Sequence, residues 1–246
     1  GAIDRTILHG HYAGPVVVFK CGEDASTLLS GFTIMGGRSR SGGGIRCYKS
    51  SPTISNCVIT GNRVTRGAGG AVDCIQSESV FLNCTLSDNY ARCEGAGVAS
   101  EDSNLLFLNC IVWGNQPDQI AVLSGQDPFF EYCNIQGRIW PEAGNISEDP
   151  LFSRPGSWSD ASNPGTPVDA DVPNAIWTQG DYHVRSQSGR YDPVLDQWLS
   201  DLITSPCIDL GTPEMDEAWE SIPHGSRINM GAYGSTQEAS RSVLGN

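Results

Sequence analysis

Apolar and polar residues alternate in short runs along the first half of the chain, and the runs return at a nearly fixed interval. Three nine-residue segments are copies of one pattern: Ile54-Ser-Asn-Cys-Val-Ile-Thr-Gly-Asn62, Phe81-Leu-Asn-Cys-Thr-Leu-Ser-Asp-Asn89 and Phe107-Leu-Asn-Cys-Ile-Val-Trp-Gly-Asn115. Aligned on it, Thr6, Phe32, Cys57, Cys84, Cys110 and Cys133 share a column, at spacings of 26, 25, 27, 26 and 23 residues. Two residues on, Leu8, Ile34, Ile59, Leu86, Val112 and Ile135 form an entirely apolar column. A second series runs Phe19, Ile45, Val72, Val98, Val122, followed two residues later by Cys21, Cys47, Cys74, Ser100 and Ser124. A period of two sends neighbouring side chains to opposite faces, so these runs predict strands. Strands recurring about every 25 residues, without helical spacing, predict a β-solenoid whose apolar columns stack inward.

The polar columns fit the corners of such a coil. Gly10, Gly36, Gly61, Asp88, Gly114 and Gly137 align, followed by His11, Gly37, Asn62, Asn89, Asn115 and Arg138. Asn tolerates a left-handed corner and its amide can bond from coil to coil, so Asn62, Asn89 and Asn115 are expected to form a ladder. The nine cysteines suggest disulfides at first sight. Stacked residues of adjacent coils, however, lie ~4.8 Å apart with parallel Cβ vectors, whereas a bridge wants Cβ atoms near 3.8 Å. Cys57, Cys84, Cys110 and Cys133 therefore read as small buried hydrophobes. Cys93 and Cys207 lie outside the columns and are the pair to test for a bridge.

Composition adds two constraints. Hydrophobic residues make up 39% of the 246, enough for a sizeable core. No run approaches the roughly 20 apolar residues of a membrane-spanning helix, so no span is expected. Fifteen Lys and Arg stand against 28 Asp and Glu, and the resulting net charge of −13 argues against nucleic acid as a partner.

On these motifs, residues 6–137 resemble a right-handed parallel β-helix of the pectate-lyase-like superfamily, in the repeat-rich form of secreted bacterial surface proteins. Asp149-Pro-Leu-Phe152, Gly180-Asp-Tyr-His-Val184, Ser205-Pro-Cys-Ile-Asp-Leu-Gly211 and Ile228-Asn-Met-Gly-Ala-Tyr-Gly234 are similar to segments that close such helices, especially planctomycete-like ones. The resemblance implies an all-β fold, a β-solenoid of about six coils over residues 1–140, with an irregular C-terminal extension over 141–246 packing along or over its C-terminal end. That extension holds four of the six Trp and ten of the fourteen Pro, and one short helix is expected around Pro213–Trp219. The resemblance also implies an extracellular or cell-surface location. It specifies fold rather than activity, since the superfamily hosts lyases, hydrolases, adhesins and inert spikes.

The candidate chemistry is cationic. Arg40, Arg66 and Arg92 recur at intervals of 26 residues, and Arg38 and Arg63 are 25 apart. Residues at the repeat period stack, so these arginines form a stripe that would bind an acidic glycan, a neighbouring subunit or Asp residues of the extension. A Ca²⁺-dependent lyase would need six to eight oxygen ligands; Glu23, Asp24, Glu78, Glu101 and Asp102 are the candidates, and a solvated acidic corner accounts for them as well. No catalytic residue and no required cofactor is assigned, and Ca²⁺ is the one metal the pattern admits. The chain enters its first coil at Thr6, Ile7 and Leu8 with no preceding cap. An open solenoid end exposes strand edges, so this end is expected either to meet another copy head to tail, giving a filament or surface array, or to continue a longer protein. The leading expectation is a non-catalytic structural protein; the alternative is a polysaccharide lyase or glycan-binding protein acting on acidic polysaccharide.

Overall fold

The computed structural model describes residues 3–217 and 219–242. Each alternating run forms a strand of two to six residues, and each strand pairs with its counterpart one coil away. The first sheet stacks six parallel strands, Ile7–His9, Thr33–Met35, Val58–Thr60, Thr85–Ser87, Ile111–Trp113 and Asn134–Ile135. The second contains Val17–Phe19, Ile45–Tyr48, Val72–Ile75, Val98–Ser103 and Ile120–Gly125. The third contains Leu28–Ser30, Thr53–Ser55, Val80–Leu82, Leu106–Leu108 and Phe129–Glu131. A short fourth sheet, Arg38–Ser39, Arg63–Val64 and Tyr90–Ala91, lies at the corner between the first and second. The fold is thus the expected all-β parallel solenoid, and the described residues contain no helix: residues 213–217 form turns and a bend instead.

The interior consists of the columns read from the sequence. Ile34, Ile59, Leu86, Val112 and Ile135 are in register and buried. Phe81, Phe107 and Phe130 stack with ring centroids 4.6 and 4.7 Å apart, and Trp140 closes the stack 4.6 Å beyond Phe130. Cys57, Cys84, Cys110 and Cys133 are buried, and all nine cysteines are free thiols. The bridge considered between Cys93 and Cys207 does not form: Cys93 is exposed on the corner beyond the fourth sheet, while Cys207 is buried with its Sγ 3.1 Å from Asn134 Nδ2. The second series needs correction at both ends. Val17 and Phe19 pair with Ile45 and Cys47, and Ile120 and Val122 pair with Val98 and Ser100. Corners are shorter in the terminal coils, so Cys21 falls outside the column and is exposed.

The Asn ladder forms through the expected coil-to-coil amide bonds, but the left-handed conformation expected of these residues belongs to their neighbours. Asn62, Asn89 and Asn115 do not have positive φ; the preceding residues do, with Gly61 at 59°, Asp88 at 58° and Gly114 at 71°. The asparagines instead join coils: Asn62 Nδ2 donates to Asn89 Oδ1 at 3.0 Å, and Asn89 Nδ2 to Asn115 Oδ1 at 2.9 Å. Each oxygen also accepts the backbone N–H of the preceding coil's Asn, and each amide donates to a first-sheet carbonyl. A separate column, Asn56, Asn83 and Asn109, has φ of 46°, 47° and 56° and turns the third sheet into the first.

That second column anchors the extension. Asn56 Nδ2 donates to the carbonyls of Ala232 and Gly234, Asn83 Nδ2 to Gly234, and Asn109 Oδ1 accepts from Thr212 N. The extension runs along the flank of the first sheet, where Phe152, Tyr182, Val184, Met230 and Tyr233 bury Val58 and Ile111. Gly61 makes room for it, because a Cβ there would meet the indole of Trp177. At the C-terminal end Trp140 closes the core, with the Arg138 guanidinium 3.6 Å above its ring, and the start of the extension covers the last strand of the first sheet, where Ile146 bridges Asn134 and Asn145 Oδ1 accepts from Cys133 N.

Two carboxyls, the half-buried Asp88 and the buried Glu220, help clamp this flank. Asp88 accepts from Tyr182 Oη at 2.7 Å, and that hydroxyl also meets Thr60 Oγ1 at 2.5 Å; burial pushes Asp88 up to about 6. Glu220 Oε1 accepts the N–H groups of Asn229 and Ser235, both at 2.8 Å, and burial pushes it up to about 7. His183 lies between Asp181, 2.6 Å from its Nδ1, and Glu238, 3.9 Å from its Nε2; burial opposes its charge, but the two carboxylates prevail and raise its pKa.

Two predictions follow from these contacts. Replacing Asn89 with Ala removes a buried amide that serves five neighbouring backbone or amide groups, and chemical denaturation should show a loss of about 3 kcal/mol; a loss below about 1 kcal/mol would contradict the ladder's role. The raised carboxyls mean that the folded state keeps protons that the unfolded chain releases, so stability is fullest below the unfolded carboxyl range and falls as pH rises through 6 and 7. His183, raised too, loses its contribution in the same direction. Thermal unfolding should therefore give a higher Tm in mild acid, above the range where lowered carboxyls such as Asp181 are protonated, than at mildly alkaline pH, by roughly 6 kcal/mol of stability from the two carboxyls at most. Asp88→Asn with Glu220→Gln should flatten the profile.

Candidate anion-binding groove

The fourth sheet exists because each coil turns from the first sheet to the second through a short extended segment, and that segment carries the arginines. Arg38 pairs with Arg63, and Arg63 with Tyr90. The chain then bends outward through Arg40, Arg66 and Arg92, all three exposed. Together with Tyr12–Pro15 of the first coil and Asp171 and Pro173 of the extension, the five arginines line an open groove of about 700 Å³.

The regular stack expected of Arg40, Arg66 and Arg92 is modified. Thr65 N donates to Ser39 O and Arg92 N to Val64 O, so Arg40, Thr65 and Arg92 are level. Arg66 lies one residue further on, beside Gly67, whose N–H donates to Arg40 O at 2.8 Å. The cause is unequal coil length at this corner: 25 residues separate Arg38 from Arg63, and 27 separate Arg63 from Tyr90. A constant 26-residue interval therefore drifts across the register, yet all five side chains still reach one groove.

Among the described residues no ion pair joins the stripe to an Asp side chain of the extension, although Asp171 lines the groove and its charge opposes the lowering of Arg63. Arg63, almost fully buried, donates to Val172 O at 2.6 Å and Asp171 O at 3.4 Å, and Arg38 donates to Pro173 O at 3.1 Å. These are backbone carbonyls. Burial and then the neighbouring Arg38 push Arg63 below the usual guanidinium range. Arginine ion pairs of the described residues involve Arg5, Arg46, Arg138 and Arg190, and none of the five groove arginines.

The other candidates sit elsewhere. Glu23 Oε2 accepts from Cys21 N and Ser50 Oγ, Asp24 Oδ1 accepts from Ser26, and Asp102 Oδ1 accepts from Ser124 Oγ. They tie their own corners, and among the described residues no three His, Cys, Asp or Glu side chains are grouped to hold a metal. Thr6, Ile7 and Leu8 lie at the first strand of the first sheet, with Ile7 and Leu8 paired to Thr33 and Ile34 on one side only. Sequence reading missed the carbonyl wall of residues 171–173, because nothing in an irregular segment marks which coil it will touch.

A family model described as a right handed beta helix region matches residues 16–139. Comparison with curated proteins gave no match, and neither did comparison with solved structures.

Proposed function

The chain belongs to the right-handed β-helix family, and on that scaffold we propose a non-catalytic, extracellular or cell-surface protein that holds an acidic polysaccharide in the arginine groove. The observation that carries this reading is the set of five arginines in one groove with no carboxylate in ion-pair contact, on a chain of net charge −13. Guanidiniums keep their protons through the physiological range, so such a set binds anions rather than shuttling protons. The coil rise of ~4.8 Å is close to the length of one sugar ring, so a polymer with one acidic group per sugar, lying along the solenoid axis, meets a cation at each of three successive coils.

Binding of polygalacturonate, alginate and heparin, measured by calorimetry at two salt concentrations, tests the proposal. At least one should bind, more weakly at high salt as charges are screened, and the combined Arg40→Ala, Arg66→Ala, Arg92→Ala variant should bind at least about tenfold more weakly. Equal affinity of that variant would refute the groove. Release of unsaturated uronide products would move the reading to a polysaccharide lyase.

One observation favours a second reading, self-association through the solenoid ends. The inward residues of the first coil, Leu8, Val17, Phe19 and Leu29, are only half-buried, whereas their counterparts one or two coils on are fully buried. Among the described residues no strand covers the outer edges of Ile7–His9, Val17–Phe19 and Leu28–Ser30. Another copy would bury these residues and pair these edges, giving a filament if its Ile120–Gly125 and Phe129–Glu131 edges supply the contact. Sedimentation and electron microscopy over a concentration series should show assembly that Val17→Lys abolishes; a monomer at every concentration would sink this reading.

A further inference from the structure

The extension carries a second concavity, of about 940 Å³, remote in chemistry from the arginine groove. Its wall is an antiparallel hairpin, Arg190–Asp192 paired with Gln197–Leu199, in which Tyr191 lies opposite Trp198 with ring centroids 5.8 Å apart. Trp219, Glu220, the 235–237 segment and Glu238 complete it. Three aromatic residues and two acidic ones, of which Glu220 is buried, therefore line one space.

The details narrow the occupant. Trp219 is 66% exposed and has no ring partner among the described residues, an unusual position for the largest apolar side chain. Trp198 already carries a cation, the Arg241 guanidinium 3.9 Å from its ring. The rings therefore do not converge as an empty cage for an ammonium ion; Trp219 instead presents a flat platform. Around it stand groups suited to hydroxyls: the Gln237 amide and the Ser235 hydroxyl make no hydrogen bond within the described chain, while Glu220 is fixed by two backbone N–H groups. A pyranose ring matches this combination, since its C–H face packs on an indole and its hydroxyls both donate and accept. The carboxyl groups in the wall disfavour a polyanion.

We propose that this pocket is a binding site for an uncharged saccharide, with Trp219 as the stacking platform and Gln237, Ser235 and Glu238 as hydrogen-bonding groups. The site is separate from the arginine groove, so the chain would engage an acidic and a neutral glycan, or two parts of one mixed polymer, through different faces.

Tryptophan fluorescence and calorimetry on the full chain, with cellohexaose, xylohexaose and mannohexaose as probes and polygalacturonate and choline as comparators, test it. At least one neutral hexasaccharide should bind with submillimolar Kd and shift the emission. Trp219→Ala should weaken it at least about tenfold and Trp219→Phe by much less, while the triple arginine variant leaves it unchanged. Both Trp219 variants should keep the wild-type Tm, because the side chain is exposed. No binding of the neutral probes up to about 1 mM, binding unaffected by Trp219→Ala, or loss of binding in the arginine variant would each overturn the proposal, as would binding of choline in their place.

Discussion

No coil of this solenoid is hydrogen-bonded to itself in its strands: every ladder of the four solenoid sheets runs from one coil to the next, so the structure depends on successive coils turning at the same place. A corner that slips by one residue sends the next strand's inward side chains outward. The two asparagine columns enforce this. Asn56, Asn83 and Asn109 supply the left-handed turn, and Asn62, Asn89 and Asn115 hold adjacent corners together through amide-to-amide bonds. Between these fixed points the chain tolerates coils of different length, and the variable residues are extruded at the corner that carries the arginines.

The inward columns were legible because burial imposes a periodic apolar signal; the register of Ile34, Ile59, Leu86, Val112 and Ile135 follows from spacing alone. The thiols were legible too, since stacking geometry is incompatible with bridging, and all are free. Corners were harder. Of the two roles expected of Asn62, the coil-to-coil amide bond is present but the left-handed turn belongs to its neighbour Gly61, because Gly-Asn in a sequence does not reveal which of the two residues takes the turn. Cys21 and Arg66 were misplaced for a related reason: a fixed interval is a good guide in the strands and a poor one where loop lengths differ.

The extension was legible only as non-periodic. Its contacts are long-range and individually specific, such as Trp177 over Gly61 and Tyr182 on Asp88, and no local pattern encodes them. Asp88 illustrates the limit. In the alignment it breaks a glycine column; in the fold it takes the same positive φ and adds a half-buried carboxyl that the flank uses for docking.

The contrast between two buried arginines explains why the groove retains its field on an acidic protein. Arg190 is surrounded by Asp181, Asp192 and Asp201, so its charge is cancelled where it stands. Arg63 is buried to a similar degree, yet it is held by the carbonyls of residues 171 and 172. Carbonyl dipoles orient a guanidinium and satisfy its N–H groups without supplying a counter-charge. Arg63 and Arg38 are therefore ordered but not neutralised, and Arg40, Arg66 and Arg92 extend the same positive potential into solvent. Asp171 of the extension lines the groove and its charge acts on Arg63, but it forms no ion pair with the groove arginines among the described residues, so it offsets only part of their field. Docking through backbone carbonyls fastens the extension to the solenoid and leaves the groove arginines without an ion-pair partner among the described residues.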